Sequence, residues 1–104
     1  MPQPFAVIRT RGPAWDDARR MEDQPDWRAH AAFMDGLYAS GFLLLAGPLE
    51  GTRDVLLIVH AESAADIEDQ LAADPWVGNG LLELKQIARW TLRIGSPIPM
   101  CREA

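Results

Sequence analysis

The sequence is poor in several things, and each shortage excludes a class of protein. Only one of its 104 residues is cysteine, Cys101, so no intrachain disulfide framework is possible and a reducing, cytoplasmic setting is expected. One cysteine and two widely separated histidines, His30 and His60, do not supply the ligands of a zinc site. The longest uninterrupted apolar runs, Phe42–Ala46 and Val55–Val59, are far too short to cross a bilayer. The opening MPQPFAVIRT lacks the basic and then apolar regions of a secretory signal, so no targeting segment is expected. Basic charge is scarce, with ten Lys and Arg against fifteen Asp and Glu and a net charge of −5. Such a chain repels phosphate backbones and has no basic stripe, so neither nucleic acid nor membrane is expected as a partner. No Gly-rich phosphate loop or Ser nucleophile elbow occurs, and no cofactor or metal is expected.

What is present is the composition of one globular domain, 48% apolar and 24% charged. We read residues 1–104 as a single domain with a core over 5–94, an acidic loop over 12–26 and a tail over 95–104. Phe5–Arg11 alternates as a strand and stops at Gly12-Pro13. The stretch from Gly12 to Asp26, rich in Pro, Asp, Glu, Arg and Gln, is a surface loop with a helical turn near Asp16–Met21, and its Trp15 needs a burial site. Trp27, His30, Met34, Leu37, Tyr38 and Gly41 then fall along one helical face while Arg28, Ala32, Asp35 and Ala39 point away. Gly41 ends this helix at the left-handed cap position. Phe42–Leu49 and Asp54–His60 read as apolar strands joined in a hairpin through the Gly51 turn. Ser63, followed three residues later by Asp66, starts a second helix reaching about Ala73, with Ala64, Ile67 and Leu71 inward. Asp74-Pro75 stops it, Trp76–Gly80 is a turn, and Leu82–Ile94 is a last strand.

The order β-α-β-β-α-β is the ferredoxin-like split unit, an α+β fold with a four-stranded antiparallel sheet and both helices on one face. The middle strands are apolar on both faces, whereas a half-solvated sheet alternates. In so short a chain the expected cover for the second face is another copy, a homodimer.

Topology also brings Arg9, Arg11, the first turn of helix one with His30, Gly47-Pro48, and Asp74 with Trp76 to one end of the sheet. In phase, His30 and Asp74 point towards the same region from adjacent helix ends. A carboxylate beside an imidazole fixes its tautomer and favours its protonated form, which suits acid–base chemistry. An anionic Asp74 at the C-terminus of helix two would oppose the macrodipole by about 0.3–1 kcal/mol, a position that function would explain. Plainer roles exist for each residue. A lone inward His is commonly structural, and Asp-Pro is an ordinary helix stop. Arg9 and Arg11 could pair with Asp16, Asp17, Glu22 and Asp23, and Arg89 and Arg93 could be solvated charges on one face of the last strand. Trp27, Trp76 and Trp90 suit core or interface, with one able to stack on a planar ligand. Cys101 has no neighbour in sequence that would activate it, and His60 receives no role.

The run Trp27-x-x-His30-x-x-Phe33-Met34-x-x-Leu37-x-x-x-Gly41-Phe42-Leu43-Leu44-x-x-Gly47-Pro48-Leu49, then Ser63-x-x-x-Ile67, then Asp74-Pro75-Trp76, resembles the YCII-related (YciI-like) domain family. The upstream Gly12-Pro13-x-Trp15 is similar to a longer-loop branch. The resemblance covers residues 5–94 and implies a dimeric α+β barrel of two ferredoxin-like sheets face to face. It also implies a site built on the helix-one His and the Asp of the Asp-Pro turn, here His30 and Asp74. Some relatives are dehydrochlorinases acting on chlorinated hydroxyhydroquinones, while the wider superfamily holds isomerases, monooxygenases and proteins without known activity. The expected protein is a homodimeric lyase or isomerase acting on a small cyclic or enolisable molecule. His30 and Asp74 would be catalytic, and Gly47, Pro48, Trp76 and Arg9 would contact the ligand. The alternative is a non-catalytic ligand-binding or accessory dimeric module.

Overall fold

A computed structural model of the protein describes residues 1–95. The elements are β1 (Gln3–Arg11), α1 (Trp27–Ala39), β2 (Leu43–Pro48), β3 (Asp54–Ala61), α2 (Ala64–Leu71), α3 (Pro75–Gly78) and β4 (Leu82–Arg89). The strands form one antiparallel sheet in the order β2-β3-β1-β4. This is the ferredoxin-like α+β arrangement, with β1 and β3 at the centre. Phe5 and Val7 of β1 and Leu57 and Val59 of β3 face the helices and pack with Leu37 of α1 and Ile67 and Leu71 of α2. Burying each such side chain contributes about 1.5–3 kcal/mol, so this layer fixes both helices on the sheet.

The capping residues act as their types require. Ser63 accepts a hydrogen bond from the Asp66 amide and starts α2. Gly41 follows α1 with φ +86°, a left-handed conformation open to a residue without Cβ.

Several local expectations are corrected. Tyr38 is 66% exposed, because the inward stripe of α1 runs through His30, Met34 and Leu37 and Tyr38 lies past its margin. β2 is an edge strand whose Leu45 is 57% exposed, so it is not buried on both faces. The loop after β1 makes a 3-10 turn at Met21–Asp23, later than Asp16–Met21. Helix α2 ends at Leu71 rather than near Ala73, and β4 ends at Arg89, which leaves Arg93 off the strand. The first strand begins two residues earlier than its alternation suggested, because Gln3 pairs with Ala61. The expected tail, Cys101 included, falls almost entirely outside the described residues.

The face turned away from the helices carries Ala6, Leu56, Ile58 and Ala88, which with Trp90 line a shallow depression of about 330 Å³. Its lower-polarity centre gives way at one end to Asp54, whose carboxylate accepts from Lys85 at 2.9 Å.

Where β1 leaves the sheet, Gly12 is buried against the chain entering β4. Its amide donates to the Leu81 carbonyl at 2.9 Å, and the Ala14 amide donates to the Gly80 carbonyl at 3.2 Å. A Cβ on Gly12 would fall inside the van der Waals envelope of the Gly80 carbonyl oxygen, which is backbone and has little room to yield. Gly12→Ala is therefore expected to lower stability by about 1–3 kcal/mol, seen as an earlier urea midpoint with an unchanged slope. An unaltered midpoint would contradict this packing.

Candidate active site

The ends of β1, α1 and α3 meet at one buried carboxylate. Arg9 is the last inward residue of the fully buried stripe of β1 and is 1% exposed. Helix α1 begins after Asp26, which has φ 61° and whose carboxylate accepts from Asn79 Nδ2 at 2.9 Å. One turn on, His30 is buried on the inner face. Asp74 follows α2 in extended conformation, as proline at the next position requires, and its Oδ1 accepts from the Trp76 amide at 2.9 Å. Asp74 thus caps the short helix α3. The expectation that it extends α2 and opposes that helix's dipole is corrected, since α2 has already ended at Leu71.

His30 Nδ1 lies 2.9 Å from Asp74 Oδ1 and 3.0 Å from Oδ2, and Arg9 Nη1 donates to Oδ2 at 2.8 Å. Arg9 Nη2 reaches Met34 Sδ at 3.6 Å. Asp74, itself 1% exposed, accepts from an imidazole, a guanidinium and a backbone amide together. Burial alone would push its carboxyl up, but the bonds from His30, the Trp76 amide and Arg9 outweigh burial and hold it below the usual carboxylate range. Burial pulls the Arg9 guanidinium down from its ordinary value, with Asp74 acting against that pull. With Nδ1 engaged by a carboxylate, Nε2 is the nitrogen left for exchange. It makes no hydrogen bond among the described residues and is not sealed from solvent.

Tryptophans surround this centre. The Trp76 ring stacks on His30 at 3.8 Å and 7° between planes, and its Nε1 donates to the Pro25 carbonyl at 2.6 Å. Trp15 meets Trp76 edge to face at 5.4 Å, and Trp27 lies 5.7 Å from it. The loop over 12–26 is held down by buried Gln24, whose Nε2 donates to the Asp16 carbonyl at 2.8 Å while its Oε1 accepts from the Asp16 amide.

A cavity of about 540 Å³ opens beside the centre, between α1, the residues of β2 and the loop. Gly47, Pro48 and Trp76 line it, as do Met34, Arg11, Trp15 and Met21. His30 and Asp74 stand behind its wall, in contact with Trp76 and, through Arg9, with Met34. Arg9 does not line it, because Asp74 and Met34 take up its guanidinium. The pairing of Arg9 and Arg11 with loop acids is also corrected. Asp17 pairs with Arg53 at 2.8 Å, and Arg11 lies over the Trp15 ring at 4.5 Å. Among the described residues no group of three or more His, Cys, Asp and Glu could hold a metal ion. Sequence reasoning missed the Arg9–Asp74 pair and the part of Trp15 and Met21 in the cavity. An unburied-looking Trp inside a polar loop was the signal for Trp15.

The low Asp74 titration has a defined consequence for stability. An unfolded carboxyl titrates at about 3.9, above the folded value, so the unfolded chain takes up the proton first as pH falls. Stability from Asp74 is complete above the unfolded value and is lost as pH falls through the folded one. Asp74→Asn removes the anion that compensates Arg9 and is expected to cost about 3–5 kcal/mol near neutral pH. It should also flatten the loss of stability below about pH 4. Urea unfolding of both proteins from pH 7 to pH 3 checks this, and parallel profiles of equal height would contradict it.

A search of curated proteins gave no significant match. Among solved structures, the chain is similar to a 5-chloro-2-hydroxyhydroquinone dehydrochlorinase from Burkholderia phenoliruptrix, determined in complex with 2,5-dihydroxybenzoquinone. The TM-score is 0.66 at 22% identity, over 86% of this chain and 94% of that one, a likeness of fold. The sequence profile of the YCII-related domain matches residues 5–91, most of the described fold and all of the Arg9, His30 and Asp74 centre, and the chain belongs to that family.

Proposed function

We propose that the protein is a small-molecule enzyme of the lyase or isomerase type, in which His30 moves the proton and Asp74 orients it. The observation that carries this reading is the bond from His30 Nδ1 to a carboxylate that Arg9 and the Trp76 amide also hold. A carboxylate so fixed holds one imidazole tautomer and stabilises the cation formed when Nε2 accepts a proton. In an elimination, Nε2 takes a proton from an acidic C–H or O–H while the leaving group departs with its bonding pair. In an isomerisation, the same proton returns to a neighbouring atom. Neither course requires more than this acid–base pair.

The cavity supports a ligand of one ring, since sites of about 300–1,000 Å³ suit small molecules, and its wall is mostly apolar with Gly47 and Pro48 shaping one side. The dehydrochlorinase of similar fold carries an elimination on a ring of this kind in its name. A second reading, a module that binds without turnover, is favoured by one feature. Trp76 lines the cavity, whereas His30 and Asp74 stand behind it. There the pair would act as a brace for the Trp76 ring.

Turnover separates the two. Hydroxylated aromatics and cyclic enols are screened by thermal stabilisation, and those that bind are assayed. His30→Gln, with its fold checked by near-ultraviolet circular dichroism, is expected to lower kcat by about 10²–10⁴-fold while binding persists. Turnover at the wild-type rate would remove His30 from the chemistry.

The uncovered sheet face supports a homodimer. Leu45 and Trp90 are 57% and 44% exposed, and Leu56 lies in the depression beside Trp90. A second copy laid face to face would cover these groups. Sedimentation should give twice the chain mass for the wild type and a monomer for Leu56→Glu. A wild-type monomer at micromolar concentration would exclude the dimer.

A further inference from the structure

Among the described residues Arg11 is a cation without an ion-pair partner. It follows Arg9 by two positions on β1 and so faces the same side of the sheet, where it lines the 540 Å³ cavity. Its side chain makes no hydrogen bond and no ion pair among the described residues, and its Nε, like that of Arg9, is sealed from solvent without an acceptor. A buried donor left unpaired is uncommon and costs free energy. Three of the loop acids close in sequence are drawn elsewhere, Asp16 to Arg19, Asp17 to Arg53 and Asp23 to Arg20. What holds Arg11 is the face of Trp15, 4.5 Å from the guanidinium carbon. Stacking on an aromatic face fixes the guanidinium plane, and the two Nη groups, which are not sealed from solvent, are left free to donate. Among the described residues the single acidic one of the cavity wall, Asp35, belongs to α1 and is exposed.

We propose that Arg11 is the anion-recognising residue of this cavity, and that the cavity takes a flat ring bearing an anionic oxygen, a carboxylate or an enolate or phenolate. The ring lies among Trp15, Trp76, Met21 and Met34, and the anionic oxygen accepts from the free edge of Arg11. A charge-assisted bond in a partly dry pocket is stronger than the same bond in water. This inference deepens the reading under Proposed function by giving that ligand a charge. It concerns binding alone, so a failure of His30 chemistry would leave it standing, and its own failure would leave His30 chemistry untouched.

Calorimetric titration of the full chain with benzoate, 4-nitrophenolate and neutral benzamide tests it. Wild type should bind at least one of the two anions more tightly than benzamide, and the anion preferred tells carboxylate from phenolate. Arg11→Met should weaken that anion by about tenfold or more, the size of one lost charge-assisted bond, and leave benzamide unchanged. Arg53→Met, which breaks only an exposed ion pair with Asp17, should change neither. Should Arg11→Met fail to fold, Arg11→Lys and added salt take its place, with salt weakening the anion alone. The proposal is overturned if wild type shows no preference for either anion, if folded Arg11→Met binds them as wild type does, or if salt weakens anion and benzamide alike.

Discussion

One carboxylate organises the upper end of this molecule. Asp74 is buried, and a buried anion is tolerable only where its charge and lone pairs are taken up. Here a guanidinium from β1, an imidazole from α1 and the amide that opens α3 supply the donors, from positions 65, 44 and 2 residues away. Three separate segments are thereby held at one point. The central sheet residues and the inner faces of α1 and α2 stabilise the fold as a whole, but they are apolar and without direction. The direction comes from the bonds to Asp74, which fix where α1 begins relative to β1 and where the chain turns after α2.

Trp76 links that centre to the rest of the site. Its amide caps onto Asp74, its ring stacks on His30, its indole N–H ties down Pro25, and its other surface is cavity wall. The loop over 12–26 is bound into the same cluster through Trp15 and is folded on itself by Gln24. A disturbance of the loop would thus reach His30 through two aromatic rings. The long acidic connection is part of the site's wall, and three of its acids, Asp16, Asp17 and Asp23, pair with arginines at the surface.

Much of the fold is legible in the sequence because its signals are local. Alternation marks β1, the helical stripe marks α1, and Gly41 and Ser63 mark cap positions for reasons of backbone conformation and hydrogen bonding. Right-handed crossover rules then carry His30 and Asp74 to one end, and their meeting follows from topology. What is not legible depends on contacts distant in the chain. Nothing near Arg9 says that its partner is Asp74 rather than a loop acid. The role of Asp74 as a cap on α3 was hidden because Asp-Pro reads equally as a stop and as a start. Tyr38 reads as part of the inward stripe, yet it lies past the margin of the row through His30, Met34 and Leu37 and is exposed. The apolar character of β2 likewise reads as buried, although its place at the sheet edge leaves Leu45 open.

A carboxylate that accepts from His30 Nδ1 requires the imidazole proton on Nδ1 and leaves Nε2 free to accept one. Nitrogen-15 chemical shifts of the His30 ring, recorded at a pH where the imidazole is neutral, test it most directly. A protonated Nδ1 and a bare Nε2 are expected in the wild type, with the two forms mixed once Asp74 is replaced by Asn. A wild-type ring protonated on Nε2 would contradict it.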